Sequence, residues 1–168
     1  EKIAAFAGGA RDGAIRLYCI TTDSATADGL DDGYRSPAEA IYGTPAAFRG
    51  LYSRDWPSGA WIPRTAGLRP EETPAFVACP LDRPDVVYAA GQNNYSGYPA
   101  IYCSADAATN WTAVFDGVHN RNIQTGWEGC KGDLDWHWGG GALGFAVSPA
   151  DPDCAVFSDW GFVHATTN

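Results

Sequence analysis

A strand–turn–strand pattern that occurs twice, 69 residues apart, most constrains the fold of this chain. The first copy spans residues 77–88 and the second spans residues 146–157, with Pro80 and Pro149 in equivalent turn positions. In each copy a short apolar run leads into a turn of Pro and Asp residues, and a second apolar run follows. Proline fixes φ and aspartate bonds its own backbone, so both turns have a physical basis. The pattern predicts recurring β-sheet units.

A polar hairpin with a Ser/Thr-x-Asp/Asn pattern is the second recurring element. Its clear copy spans residues 104–111 and contains Ser104, Asp106 and Trp111. A looser copy spans residues 53–61, and Thr166-Thr167-Asn168 matches the beginning of a further copy. Internal repeats of this size are typical of propellers and solenoids.

The hairpin 104–111 resembles the Asp-box (BNR repeat), Ser-x-Asp-x-Gly-x-x-Trp, of β-propellers. Such propellers are found in sialidases, sortilin-like receptors and xyloglucan-degrading glycoside hydrolases, and the preceding strand–turn–strand also looks like their blades. Ala108 stands where the motif has Gly, and the copy at 53–61 has one extra residue. The resemblance covers roughly residues 45–168 and more weakly 1–44, and it is closest to the xyloglucan-degrading and sortilin-like propellers.

The fold class predicted from these patterns is all-β, a partial β-propeller of about three four-stranded antiparallel blades, the last incomplete. We expect one partial propeller domain over residues 1–168, with blades at about 1–66, 67–118 and 119–168. The predicted strands lie near 2–7, 14–21, 48–53, 60–63, 74–79, 85–90, 99–104, 111–115, 142–148, 154–158 and 161–166. Natural proteins avoid open sheet edges, so we expect a fragment of a larger propeller, with further blades from the same or another chain.

Composition narrows the possible partners. A formal net charge of −9 disfavours nucleic acid, because binding to its backbone requires clustered cations. No apolar run approaches the roughly 18 residues of a membrane span. The acidic balance is compatible with an extracellular or periplasmic protein whose ligand is a neutral glycan or a protein. The five cysteines include no C-x-x-C motif, and Cys130 is the one expected in any disulfide.

The Asp-box residues themselves are expected to stabilise the fold. Ser and Asp side chains satisfy backbone N–H groups in turns, and the Trp of the motif packs beneath the hairpin. The resemblance places such boxes on the outer rim of a propeller, away from the ligand. Ser104, Asp106 and Trp111 are therefore predicted to affect stability and not activity.

A Trp-rich segment before the third unit is the first candidate for ligand binding. Trp side chains stack on the apolar faces of sugar rings, and nearby carboxylates accept hydrogen bonds from hydroxyl groups. The predicted substrate-binding residues in this segment are Trp127, Asp133, Asp135, Trp136 and Trp138. Alternatively, Trp136 and Trp138 pack between blades. Asp133 and Asp135 also suggest a possible calcium site, because calcium takes oxygen ligands; no other cofactor is expected.

Asp159 is the candidate catalytic residue. Its context resembles the blade of xyloglucan-degrading enzymes that carries an Asp used as general acid or base, and Trp160 beside it is a candidate substrate-binding residue. Glycoside hydrolysis requires a second carboxylate, which would be Asp133, Asp135 or a residue of another chain. Alternatively, Asp159 caps a turn.

Two functional hypotheses follow. The first is a secreted propeller that acts on or binds neutral polysaccharide, with possible glycoside hydrolase activity through Asp159. The second is a non-catalytic propeller that serves protein or glycan binding or an extracellular assembly. Fold alone does not decide between them.

Overall fold

The fold consists of three antiparallel sheets, and the prediction of an all-β protein is confirmed. The computed structural model describes residues 1–23, 37–116, 141–159 and 161–167. Sheet 1 contains β1 (Lys2–Arg11), β2 (Ala14–Thr22), β3 (Phe48–Trp56) and β4 (Ile62–Pro63) in chain order. Each strand pairs with the next strand along the chain, so the sheet is a meander.

Sheets 2 and 3 repeat this meander. Sheet 2 contains β5 (Glu72–Ala78), β6 (Val87–Asn93), β7 (Pro99–Ser104) and β8 (Thr112–Asp116). Sheet 3 contains β9 (Gly144–Val147), β10 (Cys154–Ser158) and β11 (Val163–Thr167). Every predicted strand overlaps an observed one. The reason is that each segment has either alternating apolar and polar residues or a continuous apolar run, and turn residues bound it.

The first strands of the three sheets lie side by side in chain order. β1 contacts β5, and β5 contacts β9. Two backbone hydrogen bonds connect the ends of these strands: Ala10 N–H, near the end of β1, donates to the Leu81 carbonyl in the turn after β5 at 2.7 Å, and Leu81 N–H donates to the Pro149 carbonyl in the turn after β9 at 2.9 Å. The three sheets are therefore joined in series at one end of their first strands.

Two apolar cores fill the spaces between sheets. The core between sheets 1 and 2 includes Tyr18, Ile20, Leu51, Val87 and Trp111. The core between sheets 2 and 3 is formed by side chains from the opposite face of sheet 2 and from two strands of sheet 3. The larger residues of this second core include Tyr88, Ile101, Phe115 and Phe157. Sheet 2 is covered on both faces, which explains its continuous apolar strands.

A tyrosine in the second strand of a sheet reaches the turn of the following sheet in two places. The Tyr18 hydroxyl donates to the Pro84 carbonyl, and the Tyr88 hydroxyl donates to the Pro152 carbonyl at 2.7 Å. Burial raises the pKa of both phenols, which keeps them protonated donors. Phe157 takes the position of Tyr88 in sheet 3.

A short helix, α1 (Pro37–Tyr42), and a 3₁₀ turn at Pro45–Ala47 separate β2 from β3. Ala38, Ile41 and Tyr42 of the helix pack on Ala75 of β5, and the Tyr42 hydroxyl donates to the Ala142 carbonyl at 2.6 Å. The helix thus covers the first strand of sheet 2.

The hairpin 104–111 has the hydrogen bonds expected of a structural turn. The Ser104 hydroxyl donates to Asp106 Oδ1 at 2.8 Å and accepts from Ala108 N–H at 2.9 Å, while Asp106 Oδ1 accepts from Asn110 N–H at 2.9 Å. These bonds to the carboxylate, above all those from Asn110, lower the pKa of Asp106 to about 2. The Trp111 indole, which is mostly buried, donates to the Arg64 carbonyl at 2.7 Å.

The looser copy at 53–61 does not form the same turn. The buried Ser53 hydroxyl accepts from Arg64 at 2.8 Å, and Asp55 pairs with Arg16 at 2.7 Å. Neither side chain makes the backbone bonds that Ser104 and Asp106 make. The extra residue noted in the sequence shifts the motif by one position along β3, and a one-residue shift turns each side chain to the other face of a strand.

Four of the five cysteines lie in the described ranges and are free thiols. Cys19 and Cys79 are buried, as expected for small apolar side chains, whereas Cys103 and Cys154 are partly exposed. Cys130 lies outside the described residues. Among the residues that the structure describes, no helix is long and apolar enough to cross a membrane.

Candidate functional site

Asp159 lies in the turn between β10 and β11, and its side chain is completely buried. Oδ1 accepts from the backbone N–H groups of Gly161 and Phe162 at 2.8 and 2.9 Å. Oδ2 accepts from His164 Nε2 at 2.9 Å. The carboxylate is thus bonded to two turn amides and one imidazole, which is the geometry of the alternative interpretation, a turn cap.

The equivalent turn of sheet 2 supports this assignment. Asn93 is the last residue of β6, and Asp159 directly follows β10. Asn93 Oδ1 accepts from Tyr95 N–H and Ser96 N–H at 3.0 and 3.1 Å. Both side chains therefore cap residues two and three positions further on. An amide is sufficient for that task, so the turn alone does not require the negative charge of Asp159.

The hydrogen bond with His164 explains why position 159 has a carboxylate instead of an amide. The His164 ring is 1% exposed and stacks on Phe157, with centroids 4.4 Å apart and planes 10° apart. Phe115 contacts the same ring edge-on at 5.3 Å. A polar ring buried between aromatic side chains needs a hydrogen-bond partner, and the carboxylate supplies one. Asp159 and His164 thus form a buried pair that belongs to the core between sheets 2 and 3.

The remaining predicted site residues fall outside the described residues. They are Trp127, Asp133, Asp135, Trp136, Trp138 and Trp160. The proposed roles of these side chains in sugar or calcium binding stay predictions. Within the described ranges, no group of three or more His, Cys, Asp or Glu side chains is placed to hold a metal ion.

A buried ionic cluster that the sequence did not predict lies at the end of sheet 2 opposite the hairpin 104–111. Arg69 Nη1 contacts Glu72 Oε1 at 3.0 Å and also pairs with Asp116, while the Tyr102 hydroxyl donates to Glu72 Oε2. The Glu72 and Asp116 side chains are 3% and 1% exposed, whereas that of Arg69 is 25% exposed. Two carboxylates share one guanidinium, so these three groups together have a formal charge of −1.

The electrostatics of this cluster keep Arg69 charged. The hydrogen bond to Asp116 and the nearby Glu72 charge raise the pKa of Arg69, although its partial burial acts in the opposite direction. Burial, together with the bond to Glu72, raises the pKa of Tyr102, so the phenol remains a donor. The positive charge of Arg69 is already balanced by its own carboxylate partners.

A cleft of about 460 Å³ adjoins this cluster. One wall comes from the 3₁₀ turn and the start of β3, and the other comes from the β4–β5 connection, the start of β5 and the turn after β6. The lining includes Ala46 and Phe48 on the first wall and Arg69, Thr73 and Asn94 on the second. The volume falls in the range of small-molecule sites, about 300–1,000 Å³.

The sequence did not predict the cluster because Asp116 lies 44 residues after Glu72 along the chain. Asp116 ends β8 and Glu72 begins β5, and each looked like an ordinary charged residue at a strand boundary. One signal was present: in an antiparallel meander, the start of the first strand and the end of the fourth lie at the same end of the sheet. Two acidic residues at these boundaries therefore share one end of sheet 2.

Comparisons with protein-family models, with curated proteins and with solved structures found no match to this chain.

Proposed function

We propose that this chain forms consecutive blades of an extracellular or periplasmic Asp-box β-propeller that binds neutral polysaccharide and does not use Asp159 as acid or base. The observation that carries the non-catalytic assignment is the complete burial of the Asp159 carboxylate and its three hydrogen bonds. A general acid or base must reach the proton that it transfers, and this carboxylate is enclosed by its own turn and by His164.

The serial arrangement of the sheets supports the propeller proposal. Propeller blades are four-stranded antiparallel meanders whose first strands surround a central axis. β1, β5 and β9 contact one another in this order, and sheets 1 and 2 have four strands each. The hairpin 104–111 joins the third and fourth strands of sheet 2, and the hairpin 53–61 occupies the same place in sheet 1.

We propose further blades because one face of sheet 1 is apolar and exposed. Phe6 and Ile3 lie on the face turned away from sheet 2, and they are 55% and 62% exposed. The equivalent face of sheet 2 is covered by sheet 1. An apolar sheet face of this kind is typical of a surface that packs against another sheet.

The function is tested with Asp159→Asn. We expect the variant to be less stable by about 2 kcal/mol, because a hydrogen bond to a charged group is lost while the amide still caps the turn. Binding to immobilised neutral polysaccharides, such as xyloglucan and mixed-linkage β-glucan, should equal that of the wild type in affinity electrophoresis. Release of reducing sugar should be absent from both proteins.

Two outcomes would contradict the proposal. Wild-type hydrolysis that disappears in Asp159→Asn at unchanged binding would establish the hydrolase hypothesis instead. A wild-type chain that binds none of the neutral polysaccharides would exclude the glycan-binding function itself.

A further inference from the structure

We infer that the cleft between sheets 1 and 2 is the binding site for a short segment of a neutral glycan, with Tyr95 as a stacking surface at its edge. This inference rests on the proposed glycan-binding function and assigns it to particular residues. The supporting features are the shape of the cleft, its hydrogen-bonding groups, its charge balance and an exposed aromatic side chain on a rigid turn.

The two walls combine apolar and polar groups in the manner of sugar sites. Pro45 and Phe48 on the first wall and Leu68 on the second provide apolar surface, while Thr73 and Asn94 provide polar atoms. The Thr73 hydroxyl donates to Asn94 Oδ1 at 3.0 Å, which orients the amide group. Sugar rings present both C–H faces and hydroxyl groups, so they need this combination of surfaces.

The charges next to the cleft favour a neutral ligand over an acidic one. Among the described residues that line the cleft, Arg69 is the cationic one, and its guanidinium is paired with Glu72 and Asp116. The three groups together have a formal charge of −1, so they do not attract a carboxylate ligand, which would have to replace a buried partner to pair with Arg69. Replacing a buried carboxylate leaves that charge uncompensated, which is strongly unfavourable. The site is therefore suited to hydroxyl groups.

Tyr95 is not itself part of the cleft lining, but it directly follows the lining residue Asn94 and is 90% exposed. Its backbone is held by the Asn93 side chain, and the Asn93 N–H donates to the Tyr98 carbonyl at 2.8 Å, so the turn is closed by hydrogen bonds on both sides. A large aromatic ring on a well-bonded turn loses little conformational entropy when it binds. Such a ring can stack on the C–H face of a sugar bound in the adjacent cleft.

The test uses the 168-residue chain and isothermal titration with a panel of neutral hexasaccharides: cellohexaose, xylohexaose and mannohexaose. Tyr95→Ala removes the stacking ring, and Ala46→Trp fills the cleft from an exposed position on the first wall. Ala150→Trp is the matched control, an exposed alanine in the turn after β9. Near-ultraviolet circular dichroism and thermal unfolding verify the fold of each variant.

We expect the wild type to bind at least one neutral hexasaccharide, and hexagalacturonate to bind more weakly. Tyr95→Ala should weaken that binding about tenfold, the equivalent of one stacking interaction. Ala46→Trp should abolish it, and Ala150→Trp should leave it unchanged.

The failures of the two proposals are distinguishable. Wild-type binding that survives in both Tyr95→Ala and Ala46→Trp would place the glycan elsewhere and overturn the cleft assignment, while the glycan-binding function would stand. Tighter binding of hexagalacturonate would overturn the charge argument. A wild type that binds no neutral hexasaccharide would overturn the cleft assignment and the proposed function together.

Discussion

Two consecutive alanines in the hairpin 104–111 occupy a backbone region that normally favours glycine. Ala107 and Ala108 have φ of +60° and +63°. The left-handed conformation costs an L-residue with a Cβ about 1–2 kcal/mol. The two positions differ in packing: Ala108 is completely buried in the core between sheets 1 and 2, whereas Ala107 is 8% exposed and is not a member of that core.

Ala107→Gly should stabilise the protein, whereas Ala108→Gly should have no net effect or destabilise it slightly. Glycine relieves the strain at either position but adds unfolded-state entropy worth about 0.4–1 kcal/mol. At position 108 a buried methyl group worth about 0.8 kcal/mol is also lost. Chemical denaturation of both variants measures the difference. Equal effects at the two positions would show that packing of Ala108 on the core does not matter.

At the scale of elements, the second strands position the turns of the following sheets. Tyr18 and Tyr88 lie on β2 and β6, and each donates its hydroxyl to a proline carbonyl of the next sheet. These hydroxyl groups are buried, so water does not easily replace the backbone carbonyls to which they donate. The repeated tyrosine therefore fixes the turn between the first two strands of each following sheet.

Tyr88→Phe should lower the free energy of unfolding by about 1 kcal/mol, since the ring still packs but the Pro152 carbonyl loses its donor. Tyr95→Phe is the matched control, because that side chain is 90% exposed and its hydroxyl is in water. Urea denaturation of the two variants gives the comparison. A Tyr88→Phe variant as stable as Tyr95→Phe would mean that the inter-sheet hydrogen bond contributes nothing.

At the scale of the whole molecule, the described sheets are joined by two apolar cores and by a backbone contact at the end of β1. A Cβ built on Gly9 would lie 2.7 Å from the carbonyl oxygens of both Pro80 and Leu81. This spacing is too short for any side chain, and the glycine therefore permits the Ala10–Leu81 hydrogen bond. The close approach brings the end of β1 into direct backbone contact with the turn after β5.

Gly9→Ala should destabilise the protein by about 2 kcal/mol, because the added methyl group meets rigid backbone atoms on the neighbouring sheet. Gly161→Ala serves as the control, since no heavy atom lies within 4 Å of a Cβ at that position. Thermal unfolding of the two variants measures the effect. If Gly9→Ala unfolds at the same temperature as Gly161→Ala, the contact between the two sheets is not as close as described.

The sequence by itself determined the strands, their turns and the structural hairpin of this protein. Each depends on neighbouring residues: apolar runs between Pro and Asp turns define β5 and β6, and Ser104 and Asp106 bond atoms at most four residues away. The hairpin 53–61 was predicted less accurately, because one extra residue rotated Ser53 and Asp55 to other partners.

Only the tertiary structure decided which charged side chains meet and which are buried. Glu72 and Asp116 share Arg69 because the meander brings the ends of β5 and β8 together, although 44 residues separate the two acids. The sequence left Asp159 as either a catalytic acid or base or a turn cap, and the tertiary structure buried its carboxylate against His164. Burial and long-range pairing depend on how sheets stack, and local patterns of residues carry little information about that packing.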